Sequence, residues 1–270
     1  MDLGKNVTKT FSILTEEWVI VLGVSALCMG TIMLLGTIVQ WAASLFLGKE
    51  ILALLLSETT AELGELVWIL YKILGLVVLI SLIELPVSTF FTAILILTLF
   101  ELTKRKRYRF TKVLKSVKEV YVQFLILSLL WFALYFLILF GSIHFLMTGK
   151  FLILLPFLIL GLLIFGLLFF FLIYPIQLFS TMEAVCGKAR VTSALKRAWM
   201  LIKKDYLMVL LVIIVGSAIF VFPPVLLSVL LSLAFPNPIS TAIFSLIGQV
   251  LATPAFSLFT ILCWKELRVS

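Results

Sequence analysis

Residues that could do chemistry are few and widely spaced in this 270-residue chain. His144 is the only histidine, and Cys28, Cys186 and Cys263 form no CxxC pair. Metal sites and disulfide frameworks need such residues at short spacings, so neither is expected and no cofactor is predicted. No nucleophile motif, zinc motif or phosphate-binding loop occurs, which predicts that the chain is not an enzyme.

Glu84 is the most unusual polar residue because it lies near the middle of a long apolar segment. At the centre of a bilayer an acidic side chain costs about 2.5–3.5 kcal/mol to insert, so it should be protonated or hydrogen-bonded. Ser217 and Gln249 lie at comparable depths in their own segments and are its candidate partners in an intramembrane polar site. The site is either linked to protons or cations, or a neutral carboxyl group making one interhelical hydrogen bond.

The composition indicates the elements that position these residues. Hydrophobic residues make up 63% of the chain and charged residues 13%, against roughly 45–50% and about 25% in soluble domains. A soluble fold could not cover so much apolar surface with so few charges. The composition therefore predicts an all-α, polytopic membrane protein.

Uncharged stretches define the crossings. A transmembrane helix needs about 20 apolar residues, and the longest stretch, broken at Pro236 and Pro238, is long enough for two. A further crossing is expected at Leu66–Phe100, which gives six transmembrane helices. The stretches without Asp, Glu, Lys or Arg are Trp18–Gly48, Val120–Thr148, Phe151–Met182 and Tyr206–Trp264.

The segment Leu66–Phe100 allows two interpretations. It could be a hairpin that turns near Glu84 and Pro86, or one long helix kinked at Pro86. A hairpin would put the basic segments before and after it on opposite sides of the membrane. We therefore predict a single helix.

The distribution of positive charge predicts the orientation. Segments 1–17, 101–119, 183–205 and 265–270 hold 2, 8, 6 and 2 lysines and arginines, 18 of the 21 in the chain. Because such residues concentrate on the cytoplasmic side, we expect a multi-pass protein of the cell membrane with both termini in the cytoplasm.

Three of these segments share a pattern that predicts an internal repeat. Phe110, Val113, Leu114, Val117 and Tyr121 form one apolar helical face, and positions 81 residues later and 103 residues earlier repeat it. Thr8, Thr111 and Thr192 align and could cap the helices. We therefore predict one integral membrane domain over 1–270, with repeat units of about 3–100, 101–182 and 183–264. Each unit is an interfacial cytoplasmic amphipathic helix followed by a transmembrane hairpin.

These helices should lie flat on the inner leaflet, with the apolar face toward the membrane and the cations on lipid phosphates. The bilayer with its anionic leaflet is the expected partner, and no nucleic acid is. The candidate anionic-lipid contacts are Lys104, Arg105, Lys106, Arg107, Arg109, Lys112, Lys115, Arg190, Lys196, Arg197, Lys203 and Lys204.

The segment Glu183–Gly187, followed by Ala194-Leu195-Lys196-Arg197-Ala198-Trp199, resembles the membrane domains attached to some glycerophosphoryl diester phosphodiesterases and related six-span proteins. The resemblance covers about 30 residues, and it is weaker in the other two units. It implies a six-span fold with interfacial helices. It implies no catalysis, because the hydrolase of those proteins is a separate soluble domain.

Two functions are compatible with these features. The first is a non-catalytic membrane scaffold or membrane-homeostasis protein. The alternative is the membrane-spanning permease subunit of an ATP-driven transporter, whose protein partner would be an ATPase subunit. A second copy of the chain is the other expected protein partner. The threefold repeat favours the first function, because such permeases do not show it.

Overall fold

The computed structural model describes residues 1–56, 63–104, 108–148, 166 and 169–269. Within these ranges the chain forms helices and no strand. Two π-helical segments, Phe169–Ile173 and Ser217–Val221, lead into α5 and α8. The helices are α1 Leu3–Glu16, α2 Trp18–Leu56, α3 Leu63–Leu102, α4 Phe110–Thr148, α5 Tyr174–Val185, α6 Val191–Lys204, α7 Tyr206–Gly216, α8 Phe222–Ala234 and α9 Pro238–Val269.

Five helical segments of the described chain are long and apolar enough to cross a membrane, which makes this a membrane protein of helical class. A shorter apolar segment covers Phe171–Val185, and most of the predicted crossing Phe151–Met182 lies outside the described residues. The five are Trp18–Val39, Gly75–Leu102, Phe110–Ile138, Tyr206–Ala234 and Ile239–Val269.

The segment that allowed two interpretations is a single helix. α3 runs from Leu63 to Leu102 with Pro86 inside it, so the single-helix prediction is confirmed and the hairpin is wrong. Tyr121 of α4 donates a hydrogen bond to the carbonyl oxygen of Pro86 at 3.1 Å. This bond joins α4 to α3 at Pro86, but it does not replace the helical bond that the proline removes, whose acceptor is the carbonyl of Leu82.

The core lies where three helices end. Every position is buried in three stretches: Ala93–Leu99 of α3, Met182–Cys186 at the end of α5, and Leu258–Trp264 of α9. A helix that is apolar all round is stable only when other helices surround it. The remaining spans carry large exposed apolar side chains, as expected of surfaces that face lipid.

The three predicted amphipathic helices are not alike. α1 ends at a one-residue break at Glu17 and α6 at a similar break at Asp205, and the next helix begins at the following residue. The second one, from Phe110, continues into its span as α4, so the prediction of a separate flat helix there is wrong. An unbroken helix keeps Val113, Val117, Val120 and Phe124 on one buried face.

Central positions of the apolar stripes face protein. Thr10, Val113 and Ala194 occupy corresponding positions in the three helices and are 0%, 1% and 0% exposed. These positions pack into the bundle, so the expectation that they lie on the membrane is wrong, whereas Phe110 at the start of the second stripe is 42% exposed. Apolar patterning identifies a buried face, but it cannot distinguish burial in protein from burial in lipid.

The predicted threonine caps are also wrong. Asp2 caps α1 by accepting a hydrogen bond from the backbone N–H of Lys5 at 3.0 Å. Thr8 lies inside that helix and donates its hydroxyl to the carbonyl of Gly4. At the start of α6, Gln123 of α4 accepts from the backbone N–H of Val191 at 3.3 Å. An acceptor from another helix therefore replaces the local cap.

Candidate functional site at the basic end

The ends of α3, α5 and α9 meet the starts of α4 and α6 in one charged region. We call it the basic end and define it as residues 101–104, 108–120, 183–205 and 264–268. Salt bridges between these segments show that they lie at the same end of the bundle. It contains every predicted lipid contact that the structure describes.

Glu183 is the centre of this region. Its side chain is 2% exposed and accepts a hydrogen bond from the indole Nε1 of Trp264 at 3.0 Å. Arg197 of α6 lies 3.6 Å from Oε2, and Arg268 of α9 lies 3.7 Å from Oε1. The carboxylate thus joins α5, α6 and α9, and the guanidinium groups of its two cationic partners remain about half exposed.

The turn after Glu183 explains the glycine that follows it. A Cβ atom on Gly187 would lie 2.6 Å from the backbone oxygen of Glu183 and 2.9 Å from its Oε2, so no other residue fits without movement. Lys188 then adopts a positive φ of 50°, and the backbone N–H of Ala189 donates to the carbonyl of Glu183 at 3.1 Å. The tight turn brings the start of α6 back over the carboxylate.

A second charged cluster joins α3, α4 and α9. Glu101 accepts hydrogen bonds from Lys104 at 2.6 Å and from Lys112 at 2.7 Å. The ammonium groups of Lys104 and Lys265 lie 4.2 and 4.5 Å from the centroid of the Phe100 ring. Cations this close to an aromatic face are attracted to it. Lys265 also donates to the hydroxyl of Thr103.

A third contact ties α4 to the turn between α5 and α6, where Lys188 pairs with Glu119. Close to these clusters, burial raises the pKa of the Cys186 thiol, and it also raises the pKa of the Tyr108 hydroxyl. Both groups therefore stay protonated and uncharged at neutral pH, and the charge of the basic end comes from its lysines, arginines and carboxylates.

The predicted lipid contacts fall into three groups. Lys104, Lys112 and Arg197 are paired with carboxylates. Arg105, Lys106 and Arg107 lie outside the described residues. The last group is exposed and has no carboxylate within ion-pair distance in the described part of the chain: Arg109, Lys115, Arg190, Lys196, Lys203 and Lys204.

Three large aromatic side chains, which we call the aromatic rim, are exposed at the start of a helix or on α6. Trp18 follows α1, Phe110 begins α4 and Trp199 lies on α6, and they are 58%, 42% and 47% exposed. Aromatic residues are enriched where a membrane meets water, and lysine and arginine at that level reach the headgroups. The basic end can therefore contact phosphate groups while its aromatic rim rests at the interface.

The three intramembrane candidates lie in different helical segments. The carboxylate of Glu84 lies against α2, where a Cβ on Gly36 would be 3.4 Å from its Oε1. Ser217 begins the second π-helical segment. Gln249 lines a groove of about 820 Å³ between α8 and α9. Glu84 therefore lies beside a glycine of α2, and the three-residue polar site stays a prediction.

Sequence reasoning missed Glu183 and Trp264 as the centre of the charged region. The spacing from Glu183 to Gly187 was a signal for the tight turn. The partners could not be inferred, because Trp264 and Arg268 lie more than 80 residues away in sequence on α9. No protein-family model, curated protein or solved structure matches this chain.

Proposed function

We propose that this chain is a non-catalytic membrane scaffold that holds its basic end against the anionic phosphates of the inner leaflet. The observation that carries the proposal is the contrast between acids and unpaired cations. Glu101, Glu119 and Glu183 are engaged in ion pairs that join helices, whereas Lys196, Lys203 and other cations are exposed. Structural pairing therefore leaves a surplus of positive charge beside the aromatic rim.

A threefold arrangement of the bundle would explain how this surface is built. α4 packs on α3, α6 packs on α5, and α1 packs on α9. In each case a helix that begins a proposed unit lies on the returning helix of another unit, and the pairing of α1 with α9 closes the cycle. The equal burial of Thr10, Val113 and Ala194 supports the same interpretation.

The threefold arrangement favours the scaffold over the permease alternative, because such permeases do not show a threefold repeat. The permease alternative needs a surface for an ATPase subunit, and co-purification of an ATPase with the full chain would favour it. The resemblance to membrane domains attached to phosphodiesterases stays a prediction, and it agrees with a six-span, non-catalytic role. We place both termini in the cytoplasm on the same charge argument.

The proposal is tested by the thermal stability of the purified protein in mixed micelles. Phosphatidylglycerol should raise Tm more than phosphatidylcholine does, because a ligand that binds the folded state stabilises it. Replacing Lys196, Lys203 and Lys204 together by glutamine should weaken binding roughly a hundredfold, at about 1 kcal/mol per cation. Salt should reduce the phosphatidylglycerol effect in the unsubstituted protein.

The matched control removes the same number of charges outside the four basic segments, with glutamine at Lys49, Lys72 and Lys150. This control should keep the full response to phosphatidylglycerol. Equal stabilisation by the two lipids, or an equal loss of response in both triple variants, would contradict an anionic-lipid surface at the basic end.

A further inference from the structure

Three lysines from different helices come together near the ring of Phe100, at the end of α3. The ammonium groups of Lys104 of α3 and Lys265 of α9 lie 4.2 and 4.5 Å from the centroid of this ring. Lys9 of α1, the helix that packs on α9, adds a third positive charge that repels Lys265. Like charges at short distance repel each other, and partial exclusion of water strengthens the repulsion. We call Phe100 and these three lysines the lysine cluster.

The carboxylates of the chain do not balance the lysine cluster. Glu101 pairs with Lys104 at 2.6 Å and with Lys112 at 2.7 Å, so one acid serves two cations. Lys9 and Lys265 have no carboxylate within ion-pair distance in the part of the chain that the structure describes. Both side chains are half-buried, and a cation that loses water without gaining an anion is unfavourable. An anion from outside the chain would supply what these two lysines lack.

The number of charges indicates which kind of anion fits. Four ammonium groups against two carboxylates leave two positive charges uncompensated. A phosphomonoester carries about 1.5–2 negative charges at pH 7, whereas a phosphodiester or a chloride ion carries one. Its three terminal oxygens also match the three lysines in number. The groups counted are those of Lys9, Lys104, Lys112, Lys265, Glu101 and Glu266, which follows Lys265 on α9.

We propose that the lysine cluster binds a phosphomonoester group, carried by a membrane lipid or by a soluble molecule. Basic pockets between transmembrane helices at the cytoplasmic side are suited to such headgroups. The inference goes beyond the proposed function, because it concerns one defined site at α1, α3 and α9 instead of the exposed cations of α6. It rests on the proposed function only for the placement of this end at the inner leaflet, which a soluble ligand would not need.

The experiment measures Tm of the full-length protein in micelles. Phosphatidic acid, a lipid phosphomonoester, should raise Tm more than phosphatidylglycerol, a phosphodiester, when the two are matched for total negative charge. Glycerol 3-phosphate without lipid is compared with sodium chloride at equal ionic strength. A rise with phosphatidic acid alone identifies a lipid ligand, and an equal rise with glycerol 3-phosphate identifies a soluble one. Both results support the phosphomonoester site.

Single substitutions locate the site. Lys265→Gln and Lys9→Gln should each weaken phosphatidic acid binding about fivefold, the effect of one cation near a lipid phosphate. If Lys265→Gln does not fold, Lys9→Gln carries the test, because the ammonium group of Lys9 has no ion pair to lose. Lys118→Gln is the matched control, because it removes an exposed lysine at the same end of the bundle. It should leave the preference for phosphatidic acid unchanged.

The variant with glutamine at Lys196, Lys203 and Lys204 separates this inference from the proposed function. It should lose most of its response to phosphatidylglycerol and keep the additional response to phosphatidic acid. The inference is overturned if the two lipids raise Tm equally at matched charge and glycerol 3-phosphate acts no more strongly than sodium chloride. It is also overturned if Lys118→Gln weakens phosphatidic acid binding as much as Lys265→Gln does.

Discussion

Glu183 is a buried carboxylate with partners from two other helices, and its Oε2 accepts no hydrogen bond from the described residues. The indole of Trp264 donates one hydrogen bond, and two guanidinium groups from different helices supply positive charge within 4 Å. A buried charge is tolerated only with such partners. Because the partners belong to α6 and α9, this one side chain determines how three helices meet.

We therefore expect substitutions of Glu183 to act on stability in a graded way. Glu183→Gln keeps an oxygen for Trp264 and should lower Tm modestly, because only the ion pairs are lost. Glu183→Leu also leaves the Trp264 indole without an acceptor and should cost about 1.5–3 kcal/mol. Thermal unfolding in detergent measures both effects.

The control for this series is Glu119→Gln, which removes an exposed carboxylate paired with Lys188. Exposed ion pairs contribute little to stability, so its Tm should match that of the unsubstituted protein. If Glu119→Gln and Glu183→Leu lower Tm equally, the role assigned to Glu183 is wrong.

At the scale of the helix, α6 depends on small side chains. Ala194 and Ala198 are both 0% exposed, and the helix packs against α5 beneath them. Small residues allow two helix backbones to approach closely, which holds for helices inside membranes as well. The packing of Ala194 and Ala198 thus fixes α6 in place, and with it the positions of the cations on its opposite face.

Ala198→Leu should push α6 away from α5 and destabilise the protein by about 1–3 kcal/mol, the usual effect of overpacking. Thr192→Leu adds bulk to the exposed face of the same helix and should leave Tm unchanged. Differential scanning fluorimetry of the two variants tests this difference. A stable Ala198→Leu protein that also keeps its phosphatidylglycerol response would show that α6 is not held in the described way.

For the whole molecule, the charge distribution predicts which surfaces face outward. Cysteines introduced singly at Glu58 and Lys150 should react with an impermeant thiol reagent applied to intact cells. A cysteine at Lys196 should react only after the membrane is permeabilised. Cys28, Cys186 and Cys263 are buried and should stay unlabelled until the protein unfolds. Labelling of the Lys196 position in intact cells would reverse the proposed orientation.

Sequence patterns were most informative where hydrophobicity or the distribution of charge alone determines the structure. Uncharged stretches predicted the long helices, and the distribution of basic segments favoured one helix over a hairpin at Leu66–Phe100, which α3 confirms. Pro86 did not divide the segment: α3 continues through it and packs on α4, whose Tyr121 donates to the carbonyl of Pro86. Packing by another helix has no local signature in the sequence.

The candidate site was harder to predict, because pairing across helices is not encoded in spacing. Matching depths suggested that Glu84, Ser217 and Gln249 could meet, but depth along an axis leaves rotation about that axis undetermined. Conversely, Glu183 is one of several single acids in a basic segment, and only the packing of α9 distinguishes it. The aligned apolar stripes predicted which residues are buried in α4 and α6, but they did not identify what covers them.

The packing of α1 against α9 has a consequence for biosynthesis. Asn6 donates to the sulfur of Cys263 at 3.7 Å, across 257 residues of sequence. At a synthesis rate of roughly 5–20 residues per second, α1 emerges about 10–50 s before the segment it will pack against. Through that interval the buried face of Asn6, Thr10 and Ile13 must rest on lipid or on a chaperone. Docking of α1 is therefore a late step, and a ribosome that pauses before α9 would expose this helix to quality-control proteases.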